Sequence, residues 1–142
     1  MSAHLVRGAA VAAAAPQPLT SMTALLQPRS VALVGASDKI ETLGRAMVDM
    51  ARVGGYEGSV YAINPKYRQI GDTPCFASIS DLPEQVDHVV LGVGNERLEA
   101  ALDEAIAHGA RAATIFASCV VSGDNGELRD RLAAKARAAG MS

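Results

Sequence analysis

The chain has 142 residues, a length that usually folds as one domain with a real core. Its formal net charge is −2, so no overall field draws it to nucleic acid or to an anionic membrane surface. Hydrophobic residues make up 49% but aromatics only 4%, and Trp is absent, which leaves a core of Ala, Val, Leu and Ile.

Met1 to about Pro18 is Ala-rich, with Arg7 and no acidic residue. Gly8 to Ala15 followed by Pro16 is too thin for a secretory signal, and an organelle-targeting peptide needs more Arg and Ser. Residues 1–24 therefore read as a disordered Ala-rich leader, or as translation begun upstream of Met22. No apolar run approaches the ~20 residues that span a bilayer.

Leu25-Leu26-Gln27-Pro28-Arg29 leads into a first strand, with Pro28 stopping any helix. In Ser30-Val31-Ala32-Leu33-Val34 a continuous apolar run suits a strand buried on both faces. Gly35 turns the chain sharply, and Ala36, Ser37, Asp38 and Lys39 follow before a helix reads out from about Leu43. Strand, small-residue turn and helix N-terminus together make a phosphate-binding geometry, with bare amides and the positive end of the helix dipole.

A second strand runs from Gly58 to Ile63 and ends at the loop Asn64-Pro65-Lys66-Tyr67. An extended piece near Pro74 to Ile79 and the turn Ser80-Asp81-Leu82-Pro83 come next. Val86 to Val93 reads as a buried strand ending at Gly94-Asn95, and Glu96 to His108 as an amphipathic helix stopped by Gly109. Ala112 to Ala117 is a further buried strand ending at Ser118-Cys119, and Gly126 to Ala139 a last helix stopped by Gly140. This alternation predicts an α/β fold: a Rossmann-like open parallel sheet with helices on both faces. The sequence ends at Ser142 where another strand is expected, so residues 25–142 read as such a domain lacking its last strand. An open strand edge of that kind favours homo-oligomers.

Ligands of open parallel sheets bind at the carboxyl ends of the strands. Four such ends are Gly35 to Lys39, Asn64-Pro65-Lys66, Gly92 to Asn95 and Ala117-Ser118-Cys119, nearly all small, polar or basic residues. They suit an extended ligand with a phosphate-rich end. A nicotinamide dinucleotide is disfavoured: the G-x-G-x-x-G pattern is missing after Gly35. The second strand also ends on Asn64-Pro65, where a ribose-binding acid is expected. From position alone, Lys66 either meets a phosphate or is a solvated loop lysine.

Cys75 and Cys119 lie far apart without metal-ligand spacing, and His4, His88 and His108 do not cluster near them. A zinc site is not expected, and a reducing cytoplasm is the simplest setting. His88 inside an apolar strand and His108 at a helix end read as structural, and Cys119 as a packed neutral thiol. No nucleophile–base pair can be assembled, so no catalytic residue is assigned.

Leu26-x-Pro28-Arg29-Ser30 through Gly35-Ala36-Ser37, then Leu43-Gly44-Arg45, Gly55-Tyr56-x-Gly58, Val60-Tyr61, Asn64-Pro65-Lys66-Tyr67 and Ser80-Asp81-Leu82-Pro83 form an ordered series. Val86-Asp87, Gly109-Ala110-Arg111-Ala112 and Ile115-Phe116-Ala117-Ser118 continue it. Together they resemble the CoA-binding domain of NDP-forming acyl-CoA synthetases, the ADP-forming acetate–CoA ligase type related to the succinyl-CoA synthetase α subunit.

The resemblance implies coenzyme A lying across the strand ends, with Gly35 to Lys39 as its phosphate-side turn and Lys66 on a phosphate. It implies Ser118 and its neighbours, with Gly94 and Asn95, toward the pantetheine arm. It also implies partners: an ATP-grasp domain and a domain carrying a phosphorylated histidine, in the same chain or another subunit. Relatives commonly carry a Val-Pro pair where this chain has Gly92-Val93-Gly94-Asn95, and often Gly followed by an acidic residue where it has Cys119-Val120-Val121-Ser122. The thiol end is therefore expected to be held differently here. Two alternatives stand beside the ligase reading: a CoA-sensing module that performs no ligation and, more weakly, a nicotinamide-dependent oxidoreductase domain.

Overall fold

The computed structural model describes residues 20–142. Most of the expected leader, residues 1–19, lies outside the described residues. Its expected boundary after residue 24 falls inside a short helix, α1 (Ser21–Leu26), capped by the Thr20 side chain and resting against the far strand of the sheet.

Strand β1 (Ser30–Val34) sits at the centre and pairs in parallel with β2 (Ser59–Ile63) on one side and β5 (His88–Leu91) on the other. With β3 spanning Gln69–Ile70, β4 Thr73–Phe76 and β6 Ala112–Ile115, the six-stranded order is β3-β4-β2-β1-β5-β6. Helix α2 (Leu43–Val53) leaves β1 for one face. Helices α3 (Asn95–His108) and α4 (Glu127–Ala138), with the 3-10 turn Ile79–Asp81, pack on the other.

The core shows why β1 is apolar from Val31 to Val34. Ala32 and Val34 join the layer under α3 and α4, with Ile63, Val89, Leu91, Leu98 and Leu102. Leu33 joins the opposite layer, with Met47, Val48 and Ala62 beneath α2. A strand covered on both faces has no solvent side on which to place polar residues.

The sheet is not wholly parallel. β3 (Gln69–Ile70) and β4 (Thr73–Phe76) form a tight antiparallel hairpin at one edge, and only β4 continues the parallel set beside β2. The expected strand from Val86 to Val93 is regular only over His88–Leu91, and β6 ends at Ile115 rather than Ala117. Both stop short at their carboxyl ends, and β5 also leaves Val86 and Asp87 outside the strand at its amino end. At the other edge Ser142 donates to the Arg111 carbonyl at 3.0 Å and accepts from the Ala113 amide at 2.8 Å. That is a parallel bridge on the outer side of β6.

At the amino ends of the strands, Asp87 locks β1 to β5. Its carboxylate accepts from the Arg29 amide at 2.9 Å and from the Arg29 guanidinium at 3.0 and 3.1 Å, while its own amide donates to Ser30 Oγ. The two histidines singled out in the sequence are also fastened. His88 Nε2 meets Thr114 Oγ1 at 2.9 Å, and burial pushes its imidazole below the usual range. His108 Nε2 accepts from the Val86 amide at 3.2 Å.

Candidate functional site

A cleft of about 450 Å³ opens at the carboxyl ends of β1, β2 and β4, beneath the first turns of α3. This is where the chain reverses direction across the sheet: β1 feeds α2 on one face and β5 feeds α3 on the other. Such a switch point separates the loops and leaves a crevice. Gly35, Asn64, Pro65 and Lys66 line it, facing Val93 and Arg97.

Gly35 holds the floor in a left-handed conformation, φ 87°, and donates to the Ile63 carbonyl at 3.1 Å. A Cβ at this position would run into the Gly92 carbonyl oxygen. Ala36 is fully buried, and among the described residues no acceptor meets the amides of Ala36, Ser37 or Asp38. The turn leaves these three donors without a protein partner among the described residues.

The helix dipole enters differently. Five residues lie between Ser37 and the start of α2 at Leu43, and the Thr42 side chain already caps that helix by accepting from the Arg45 amide at 3.2 Å. The first turn of α2 nevertheless presses against the loop: a Cβ on Gly44 would lie 2.8 Å from the Ser37 amide nitrogen.

Within the loop, Ser37 Oγ accepts from the Lys39 amide, and Asp38 pairs with Arg45 Nη1 at 2.8 Å. Asp38 and Lys39 thus run outward from the rim toward α2. Asn64 acts as a clamp: its Nδ2 donates to the Ala36 carbonyl at 2.8 Å and its Oδ1 accepts from the Lys66 amide at 2.9 Å. With both polar ends engaged, it sets the loop shape and aims Lys66. Lys66 itself is exposed and forms no ion pair among the described residues.

Gly94 is the N-cap of α3, without a side-chain cap bond. Neither Asn95 nor Ser118 lines the cleft: Asn95 lines a neighbouring depression beside the loop after β6, and Ser118 sits in that loop. Asn95 Nδ2 donates to the Val120 carbonyl at 2.8 Å and reaches Ser118 Oγ at 3.4 Å, and Ser118 Oγ also accepts from the Val120 amide. Cys119 packs against the α3–α4 core layer, as a structural thiol does. Among the described residues no group of three or more His, Cys, Asp or Glu side chains is placed to hold a metal ion. No helix among them is long and apolar enough to cross a membrane.

Sequence reasoning missed Arg97 and Ser78, which line the cleft from α3 and from the segment after β4. Arg97 had one available signal: it is the only Lys or Arg in α3, and it sits at the helix start.

Residues 29–142 match the family described as the CoA binding domain. The chain belongs to that family. This CoA-binding domain is 36% identical over 83 residues to acetate–CoA ligase [ADP-forming] I of Archaeoglobus fulgidus, covering 58% of the chain and 12% of the ligase. It is 31% identical over 105 residues to acetate–CoA ligase [ADP-forming] of Methanocaldococcus jannaschii, covering 74% of the chain and 15% of the ligase. A solved dinucleotide-forming acetyl-coenzyme A synthetase 1 of Ca. Korarchaeum cryptofilum, in complex with phosphate and ADP, superposes with TM-score 0.79 at 28% identity. That match covers 87% of this chain and 26% of the synthetase. The chain thus spans only a small part of the ligases it resembles. What it shares with them is the CoA-binding domain.

Proposed function

We propose that the cleft binds coenzyme A across the strand ends and presents its thiol to an acyl phosphate made elsewhere, as part of an ADP- or GDP-forming acyl-CoA synthetase. The observation that carries this reading is that Gly35 and Lys66 line one cleft, and that the turn leaving Gly35 carries amides at Ala36, Ser37 and Asp38 without an acceptor among the described residues. Phosphate groups are met by backbone donors and one lysine charge, and the long pantetheine arm has an open crevice to follow. Gly94, Asn95 and Ser118 lie on the thiol side in this reading. The acyl phosphate requires an ATP-grasp domain and a phosphohistidine-bearing domain, in the same polypeptide or a partner subunit. Two free cysteines and no paired ones suit a reducing cytoplasm.

One observation favours the second reading, a CoA-sensing module without ligation. Ser118 and Asn95 are tied to each other and to Val120 in the loop after β6, apart from the cleft, which leaves only the Ser118 hydroxyl proton and Asn95 Oδ1 unspent. Finding an ATP-grasp domain in the same or an adjacent gene separates the two.

Isothermal titration with CoA, dephospho-CoA and NAD tests the site directly. Wild-type protein is expected to bind CoA in preference to NAD. Lys66→Ala is expected to weaken CoA binding about tenfold, the value of one charge-assisted phosphate contact. Binding of NAD without CoA would overturn the assignment.

A further inference from the structure

We propose that Arg97 reads a terminal phosphate monoester in this cleft and gives the site its preference for CoA over dephospho-CoA. The inference rests on the cleft being the CoA site and goes beyond it by assigning the group that senses the 3′-phosphate.

Arg97 is out of place as a helix residue. It occupies the first turn of α3, where the macrodipole is positive and a cation is disfavoured. The rest of that helix carries Glu96, Glu99, Asp103 and Glu104, and no other Lys or Arg. Its only ion pair among the described residues is a loose 3.8 Å approach to its neighbour Glu96, beyond hydrogen-bond range, and the side chain is 69% exposed. The acid that lines the cleft, Glu104, is already engaged: one of its oxygens accepts from the Ile79 amide at 2.9 Å and the Ser80 amide at 3.3 Å. Arg97 therefore faces the cleft with its guanidinium donors unspent, at a position that costs the helix stability. An anion bound between α3 and the Lys66 loop relieves that conflict.

The division of labour follows from donor geometry. Bridging phosphates with single negative charges suit the backbone amides of residues 36–38 and one lysine. A monoester offers two charged oxygens side by side, which match the planar fork of an arginine and not the single point charge of a lysine.

The test is the ratio of CoA to dephospho-CoA affinity, measured by titration on wild type, Arg97→Ala and Arg97→Lys. A ratio taken within one variant is insensitive to any general loss of folding. Wild type is expected to prefer CoA. Arg97→Ala is expected to cut that preference about tenfold or more, leaving dephospho-CoA affinity within about twofold. Arg97→Lys is expected to fall between the two. An unchanged ratio in Arg97→Ala, or an equal loss for both ligands, overturns the role of Arg97 while leaving the site intact. Failure of wild type to bind CoA at all overturns the site reading itself, and this one with it.

Discussion

Gly35→Ala is expected to destabilise the domain by roughly 3–5 kcal/mol, a large share of the 5–15 kcal/mol typical of a small domain. Two costs add. The backbone at Gly35 has φ 87°, which an L-residue with a Cβ adopts only under strain. The new Cβ also collides with the Gly92 carbonyl oxygen, a backbone atom whose own amide is hydrogen-bonded to Val34 at 2.8 Å. The chain after β5 cannot step aside without breaking the central pairing of the sheet. Urea unfolding at neutral pH gives the number. A loss under about 1 kcal/mol would mean that the β1 and β5 ends are not held as closely as the structure has them. The same substitution is expected to remove CoA binding in whatever fraction stays folded, because it moves the amides of Ala36 and Ser37.

How much of this was legible in the sequence depended on how local the cause was. β1 and its turn were readable because every cause lies within ten residues: an apolar run, then a glycine, then small side chains. α3 was readable from its 3.6-residue spacing and from Gly109, which takes the left-handed C-cap position at φ 90°. β3 was not readable, since a two-residue strand with one exposed and one buried side chain carries no period. Asn64 was legible as a site position but not as a clamp, because the carbonyl it holds belongs to Ala36, 28 residues earlier. Asp38 was legible as part of the turn after Gly35, but not its pairing with Arg45, which turns it outward. Arg97 hid in a helix whose charged residues otherwise read as a solvated face. Local chemistry gave the cleft floor, and only the fold showed which side chains reach it.

Asp87→Asn is expected to cost about 2–3 kcal/mol at neutral pH, and the deficit is expected to shrink in acid. Asp87 is buried at 8% exposure, and its carboxylate receives three hydrogen bonds from Arg29. Those bonds, chiefly the guanidinium contact, hold the carboxyl below the usual range against the opposing effect of burial. The Arg29 side chain is 56% exposed, so solvent screens the charge–charge part, and most of the loss comes from replacing a double acceptor by an amide whose nitrogen faces donors. The sign follows from linkage. A carboxyl whose folded pKa is depressed stabilises the fold fully above its unfolded value of about 3.9, and that contribution disappears as pH falls through the lower folded value. Unfolding curves for wild type and Asp87→Asn should therefore stay apart at neutral pH and converge below about pH 4. A gap that stayed constant through the acid range would show that Asp87 acts by shape alone. The lock would then be the Arg29 and Ser30 backbone rather than a charge.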